Sequence, residues 1–203
     1  MTFLSLARAA PLRRAASAAS FLAAVAGAAA FADRSAGAAA DRGVWRIDPT
    51  RTHIGFVIDA VGFPRTQGEF HAFNGRLSID FDRPAASRVS FTVRSDSIEV
   101  GSSSFDDTLR GSNFLDAQRF PDIHFESTRV EKRDESIVEL TGDLTLLGVT
   151  RPLTVEVEVK RLGARLSFVA HAHIDRLAYG MNSGFPIISR DVDLTVSSEA
   201  LAG

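Results

Sequence analysis

The sequence predicts a mainly β protein: an antiparallel sheet, stacked as a sandwich or closed as a barrel, with a short helical insertion. Three observations carry this. Apolar and polar residues alternate with a period of two over most of the chain after Trp45. About eight such runs are separated by turn signals. One segment, residues 104–119, breaks the period and carries the chemistry of a helix start.

The strands follow in order. Ile54, Phe56, Ile58 and Ala60 alternate with His53, Gly55, Val57 and Asp59. Leu77, Ile79 and Phe81 alternate with Ser78 and Asp80, and Val89, Phe91 and Val93 with Ser90, Thr92 and Arg94. Ile123 and Phe125 mark a short strand. Val138, Leu140, Leu144 and Leu146 oppose Glu139, Thr141, Asp143 and Thr145. Leu153, Val155, Val157 and Val159 oppose Thr154, Glu156, Glu158 and Lys160. Leu166, Phe168, Ala170, Ala172 and Ile174 share one face, and Val192, Leu194 and Val196 close the series. Each run reads as a half-buried strand with one dry face and one wet face.

The exception begins at Ser104-Phe105-Asp106-Asp107. This reads as a capping box: the Ser104 hydroxyl accepts from an early helix N–H, and the acids face the positive end of the dipole. Leu109, Phe114 and Leu115 supply an apolar side, and Pro121 ends the segment. The expected helix runs from Ser104 to Arg119 and covers one end of the sheet.

Composition narrows the function. The 203 residues carry a formal net charge of −2, with 45% apolar and 24% charged residues, an ordinary globular balance with room for a core. No basic excess points to nucleic acid. The absence of cysteine excludes disulfides, thiolate zinc sites and thiol catalysis. Arg8, Arg13 and Arg14, the uncharged run 15–32 and the small-x-small step Ala30-Phe31-Ala32 read as a secretory signal peptide over residues 1–32, cleaved after Ala32. The competing reading, an uncleaved anchor, fits a short alanine-rich run less well. Residues 33–43 read as a flexible lead-in, and 44–203 as one domain, placed in the periplasm or secreted.

Little catalytic chemistry is visible. His171 and His173 are spaced to share a strand face, but no third ligand is in register for zinc, and two solvated polar residues are the simpler reading. Asp106 and Asp107 are explained by the helix start. Asp80-x-Asp82 and Asp191-x-Asp193 lack the loop pattern of a calcium site. No nucleophile elbow, zincin motif or phosphate loop occurs, so no enzyme, cofactor or metal is expected. An outer-membrane barrel would also alternate, but Trp45 and Tyr179 are too few for its aromatic girdles. Of fifteen phenylalanines, three fall in the leader; the rest are core, or they line a cavity. A barrel of about eight strands can be filled or can hold a ligand, and alternation does not separate the two.

Several motifs in this order resemble the YceI-like family, from about Val44 to Ala200. They are Trp45-Arg-Ile-Asp48-Pro49, then Thr52, Phe56, Gly62-Phe63 and Gly68-x-Phe70, followed by Ser97-Ile98 and Asp106-x-x-Leu109-Arg110. Next comes Phe114-Leu115-Asp116-x-x-x-Phe120-Pro121-x-Ile123-x-Phe125-x-Ser127. The most specific stretch is Gly142-Asp-Leu144-Thr-Leu146-x-Gly148-Val-Thr150-Arg-Pro152, and Asp175-Arg176-x-x-Tyr179-Gly180-Met181 is similar to a late family signature.

The resemblance implies a lipocalin-like antiparallel β-barrel with a helix packed across it. It implies an exported carrier or sequestering protein for a long amphiphile: a polyisoprenoid, an isoprenoid quinone or a fatty-acid amide. It also implies an inner-membrane b-type cytochrome or the quinone pool as partner. The alternative is a filled barrel acting as an interaction or stress module. On the dry faces, the candidate lining residues are Phe56, Ile58, Leu77, Ile79, Phe91, Val93, Phe125, Leu140, Leu144, Val155, Val157, Leu166, Phe168 and Ile174, with Leu109 and Phe114 closing the tunnel. The chain departs from the family at Arg51, Ala60 and Thr108, where histidine is frequent, which bears on the ligand's head group.

Overall fold

The computed structural model describes residues 42–202, so the expected leader and nearly all of the lead-in lie outside the described residues. Eleven strands and one α-helix are present among them. They are β1 (Arg42–Ile47), β2 (His53–Ala60), β3 (Thr66–Phe70), β4 (Phe73–Asp80), β5 (Arg88–Arg94), β6 (Ile98–Glu99), α1 (Ser103–Arg110), β7 (Asp122–Lys132), β8 (Ile137–Leu146), β9 (Val149–Leu162), β10 (Arg165–Asp175) and β11 (Ile188–Ala202). Arg42 and Gly43, placed in the lead-in by composition, already belong to β1 and pair with Asp80 and Ile79.

Every pairing is antiparallel, and the ring β1-β4-β5-β7-β8-β9-β10-β11 closes through Trp45–Ile47 against Ala200–Ala202. The strand β11 is long enough to pair with β2 along one part and β1 along another. The pairs β1/β2, β3/β4 and β5/β6 are three staves, each broken by a bend, so the barrel has eight staves and the sandwich alternative falls away.

The breaks have local causes. Pro49 has no N–H for a ladder, and Asp48 turns the chain by accepting from the Thr50 N–H at 2.9 Å. Ser95 is buried, and its N–H and Oγ donate to the carbonyls of Pro121 (2.9 Å) and Phe120 (2.8 Å) instead of continuing the strand.

The helix differs from expectation. It spans Ser103–Arg110 and stops because the Gly111 N–H closes onto the Asp107 and Thr108 carbonyls, at 3.1 and 3.2 Å. Turns then follow, with Asp116 at φ 43° and the Leu115 N–H donating back to the Leu109 carbonyl at 2.9 Å. The capping box does not form. Ser102 is the N-cap, Ser104 lies inside the helix, and Asp106 accepts from the Val100 N–H at 2.7 Å.

Between β8 and β9, Leu147 (φ 53°) and Gly148 (φ 72°) make a two-residue hairpin turn of the kind that needs positive φ at both positions. Side chains of the barrel wall alternate apolar-in and polar-out; the exposed outer face of β9, for example, carries Thr154, Glu156, Glu158 and Lys160. A membrane-spanning barrel needs the reverse, an apolar outer band.

Candidate functional site

A cavity of about 330 Å3 lies inside the barrel. Its walls come from the inward rows of β4, β5, β7, β8, β9, β10 and β11, with Ile54 of β2 and Phe70 of β3. Leu77, Val89, Leu140, Val157, Leu166 and Phe168 form the packed part of that wall. Ile79, Phe91, Val138, Val155, Val159, Ala170 and Val196 also point inward but are only half-buried. In a filled core such side chains would be buried by their neighbours; here their free surface faces the lumen.

Glycines explain how an interior with this many aromatic rings stays hollow. Phe91 pairs with Gly75, and a Cβ there would sit 3.1 Å from the ring. Phe125 lies over Gly142, where a Cβ would meet the ring at 2.5 Å. A Cβ at Gly68 would likewise meet the ring of its strand partner Phe56 at 2.6 Å. Each ring lies down along the wall because the neighbouring strand has no side chain there.

The cavity opens at the end carrying the β4–β5, β7–β8 and β9–β10 turns, where its lining becomes polar: Asp80, Ser87, Lys132, Glu135 and Arg161. Asp80 is buried, accepts from the Arg83 N–H at 2.9 Å, and its own N–H donates to Ser87 Oγ at 3.0 Å. The Arg161 guanidinium lies 4.5 Å from the centre of the Phe81 ring, which meets Trp45 edge-on at 6.1 Å.

The opposite end is capped. Here a second apolar cluster joins Ile54, Phe56, Phe70, Ile98, Leu115, Leu146 and Tyr179. The β10–β11 loop is held over it by Arg176, which is only 1% exposed. Its guanidinium donates to four carbonyls: Ser189 (2.7 Å), Met181 (2.5 Å), Ser183 (2.9 Å) and Ile188 (2.9 Å). Burial pulls its pKa down, but from a value high enough that it stays charged. Burial likewise pushes the Tyr179 phenol up.

Of the residues expected to line a cavity, Leu77, Ile79, Phe91, Val93, Phe125, Leu140, Leu144, Val155, Val157, Leu166 and Phe168 do so. Phe56, Ile58, Leu109, Phe114 and Ile174 do not. The lumen reaches from the mouth down to Ile54, Phe70 and Leu144 of the second cluster, and these five lie outside its lining. Phe56 is packed on Phe70 at 5.8 Å, and Leu109 and Ile174 pack against the second cluster. Ile58 is half-buried near the far end of β2, and Phe114 lies in the turns after α1. Ile54, Phe70, Val89, Ile123, Val130, Val138, Leu153, Val159, Ala170, Ala172, Leu194 and Val196 also line the cavity, most of them marked by the same alternation. The rim residues lie at turns and strand ends and gave no periodic signal.

The other candidates lie elsewhere. His171 and His173 are exposed on the outer wall, facing Thr195 (3.3 Å) and Asp193 (2.5 Å) across the ladder. No group of three metal-ligating side chains occurs among the described residues. Arg51, Ala60 and Thr108 do not line the cavity. Arg51 donates to Glu199 at 2.8 Å, Ala60 pairs with Ile188, and Thr108 Oγ1 donates to the Ser104 carbonyl at 2.8 Å.

Comparison with known proteins matches this architecture. The structure is similar to that of Burkholderia cenocepacia BcnA, with a TM-score of 0.72 at 24% identity, over 75% of this chain and 98% of that one. It is also similar to a polyisoprenoid binding domain from Saccharophagus degradans implicated in plant cell wall breakdown, with a TM-score of 0.66 at 15% identity, over 79% and 99% of the two chains. In sequence, the chain is 32% identical to protein YceI of Escherichia coli O17:K52:H18 over 165 residues, covering 77% of this chain and 86% of that protein. The YceI-like domain model matches residues 45–200, the whole barrel from the first strand to the last, and the chain therefore belongs to the YceI-like family.

Proposed function

We propose that the protein is a non-enzymatic binder that holds the apolar tail of a long amphiphile inside the barrel. The observation that carries this is the hollow interior: inward side chains left half-buried around 330 Å3, with charge confined to the mouth. That volume is at the low end of the range of small-molecule pockets, roughly 300–1,000 Å3. Each methylene buried in it gains on the order of 0.8 kcal/mol, reduced by the cost of ordering a flexible tail. A wall without fixed polar groups selects by length and width, while the rim meets the head group. The ligand class is isoprenoid or acyl, a quinone tail or a fatty-acid amide included. Likeness to the Saccharophagus degradans polyisoprenoid binding domain favours the isoprenoid. In this reading the chain is exported, and it carries or sequesters its ligand beside a membrane whose quinone pool or b-type cytochrome is the donor or acceptor.

The test is extraction of the purified protein with organic solvent, followed by mass spectrometry. One polyisoprenoid, quinone or acyl amide near one per chain is expected. A ligand-free protein that also fails to take up a long-chain polyprenol or fatty amide in solution would overturn the reading, and leave a barrel acting as an interaction module.

A further inference from the structure

One cross-strand row on the outer wall near the mouth has an unusual composition. Leu162 on β9 pairs with Arg165 on β10, Arg165 with Leu201 on β11, Leu201 with Arg46 on β1, and Arg46 with Arg76 on β4. Directly paired residues share a face, and strands lie about 4.8 Å apart, so the row is roughly 19 Å long. Val44, Ser78 and Arg88 form a second row, closer to the mouth. The apolar members are open to solvent: Leu162 is 70% exposed, Val44 62% and Leu201 46%.

The charges of these rows are unbalanced. The acids beside them, Glu199 and Asp48, are shared with Arg51: Glu199 lies 2.8 Å from Arg51 and 3.7 Å from Arg165, and Asp48 lies 3.8 Å from Arg51. Arg46 and Arg76 face each other with no carboxylate within ion-pair distance among the described residues. Like charges placed directly opposite in a ladder repel. This excess of cation sits on a chain whose overall charge is −2.

We propose that this wall docks on an anionic lipid surface, an inference that rests on the ligand reading above. Arginines interleaved with exposed aliphatic side chains are the composition that settles into a headgroup layer. The cations meet lipid phosphates, the aliphatic groups enter the acyl boundary, and the arginine stems lie between. An anionic surface also relieves the repulsion between Arg46 and Arg76. The position suits the task, because Arg161, next to Leu162 in β9, lines the cavity mouth. A barrel docked by this wall holds its mouth at the lipid.

The experiment is flotation of the full chain with phosphatidylcholine vesicles, with and without phosphatidylglycerol. Cargo is measured by mass spectrometry on the same preparations. The wild type floats with the anionic vesicles and is released by high salt. The double variant Arg46→Gln/Arg76→Gln binds about tenfold more weakly or less, with its cargo and thermal stability kept. The variant Leu162→Ser/Leu201→Ser also loses binding. Equal binding to both vesicle types, or a double variant that floats like the wild type, overturns the proposal. Capture by soluble polyglutamate without vesicle binding also overturns it, and indicates an acidic protein partner. Vesicle binding by a protein that never yields or takes up cargo would sink the cavity reading and leave the docking surface standing.

Discussion

Replacing Arg176 by methionine tests whether the capped end depends on one buried cation. Methionine keeps much of the length and removes all the donors. Four carbonyls, those of Met181, Ser183, Ile188 and Ser189, then lose their partner. Each abandoned buried acceptor costs about 1–3 kcal/mol. The full sum is not reached, because Asn182 and residues 184–187 are exposed and water can reach part of the loop. With about two of the four left without a partner, and each bond made to a charged donor, the expected destabilisation is about 3–5 kcal/mol. It is a large share of the roughly 5–15 kcal/mol that holds a domain together. At this size, a Tm decrease of about 6–20 °C follows. The conservative Arg176→Lys keeps the charge but offers three donors from one nitrogen, and it should fall between the two. Urea unfolding with an unchanged slope, together with amide exchange over residues 177–190, reads the effect. A methionine variant within about 1 kcal/mol of the wild type, with unchanged exchange in the loop, would refute the argument.

Two further outcomes separate packing from lumen and acid from base. Leu77 is 4% exposed while its neighbour on the same face, Ile79, is half-buried with its free side toward the cavity. Leu77→Ala should cost about 2–5 kcal/mol. Ile79→Ala should cost about half as much, yet weaken ligand uptake more per unit of stability lost; equal costs in urea would mean the lumen is misplaced. Four carboxyls are held below their ordinary value of 3.8: Asp48 by the Thr50 hydroxyl and N–H, Asp59 by Arg65, Asp134 by the Ser136 and Ile137 N–H groups, and Asp175 by Arg190. A lowered folded-state pKa contributes stability that is complete above the unfolded value and lost as the pH falls through the folded one. Tm should therefore hold level down to about pH 4 and fall below it, less steeply in Asp134→Asn and Asp175→Asn. A Tm that rises on acidification would contradict the assignment.

Strand faces were legible in the sequence because period-two alternation is the direct imprint of one dry face. Eleven lining residues follow from that imprint alone. It does not report position along the barrel axis. Phe56 and Ile174 carry the same alternation as Phe91 and Phe168, yet pack within the second cluster outside the lumen lining. The helix boundary was misread because Leu109, Phe114 and Leu115 have helical spacing, while Gly111 and Asp116 reverse the chain between them. The bends at Pro49 and Ser95 depend on side-chain hydrogen bonds to distant carbonyls and turn residues, which no periodicity encodes. The hollow itself depends on Gly75 and Gly142 lying beside Phe91 and Phe125, a relation visible only once the register is known.

The seam between β1 and β11 has a kinetic consequence. It joins the first and last strands of the described chain through three pairs, Trp45 with Ala202, Arg46 with Leu201 and Ile47 with Ala200. All the other ladders of the ring, except β1 with β4 and β5 with β7, link strands adjacent in sequence. A folding chain can therefore zip β7 through β11 as successive hairpins at low loop-closure cost, whereas the seam must wait until both ends have arrived. Until then the aromatic interior is open along one side. The same geometry sets the two ends of the domain next to each other, so a short linker from residue 202 to residue 42 and new ends cut at Gly163, in an exposed hairpin, would turn the slowest closure into the most local one.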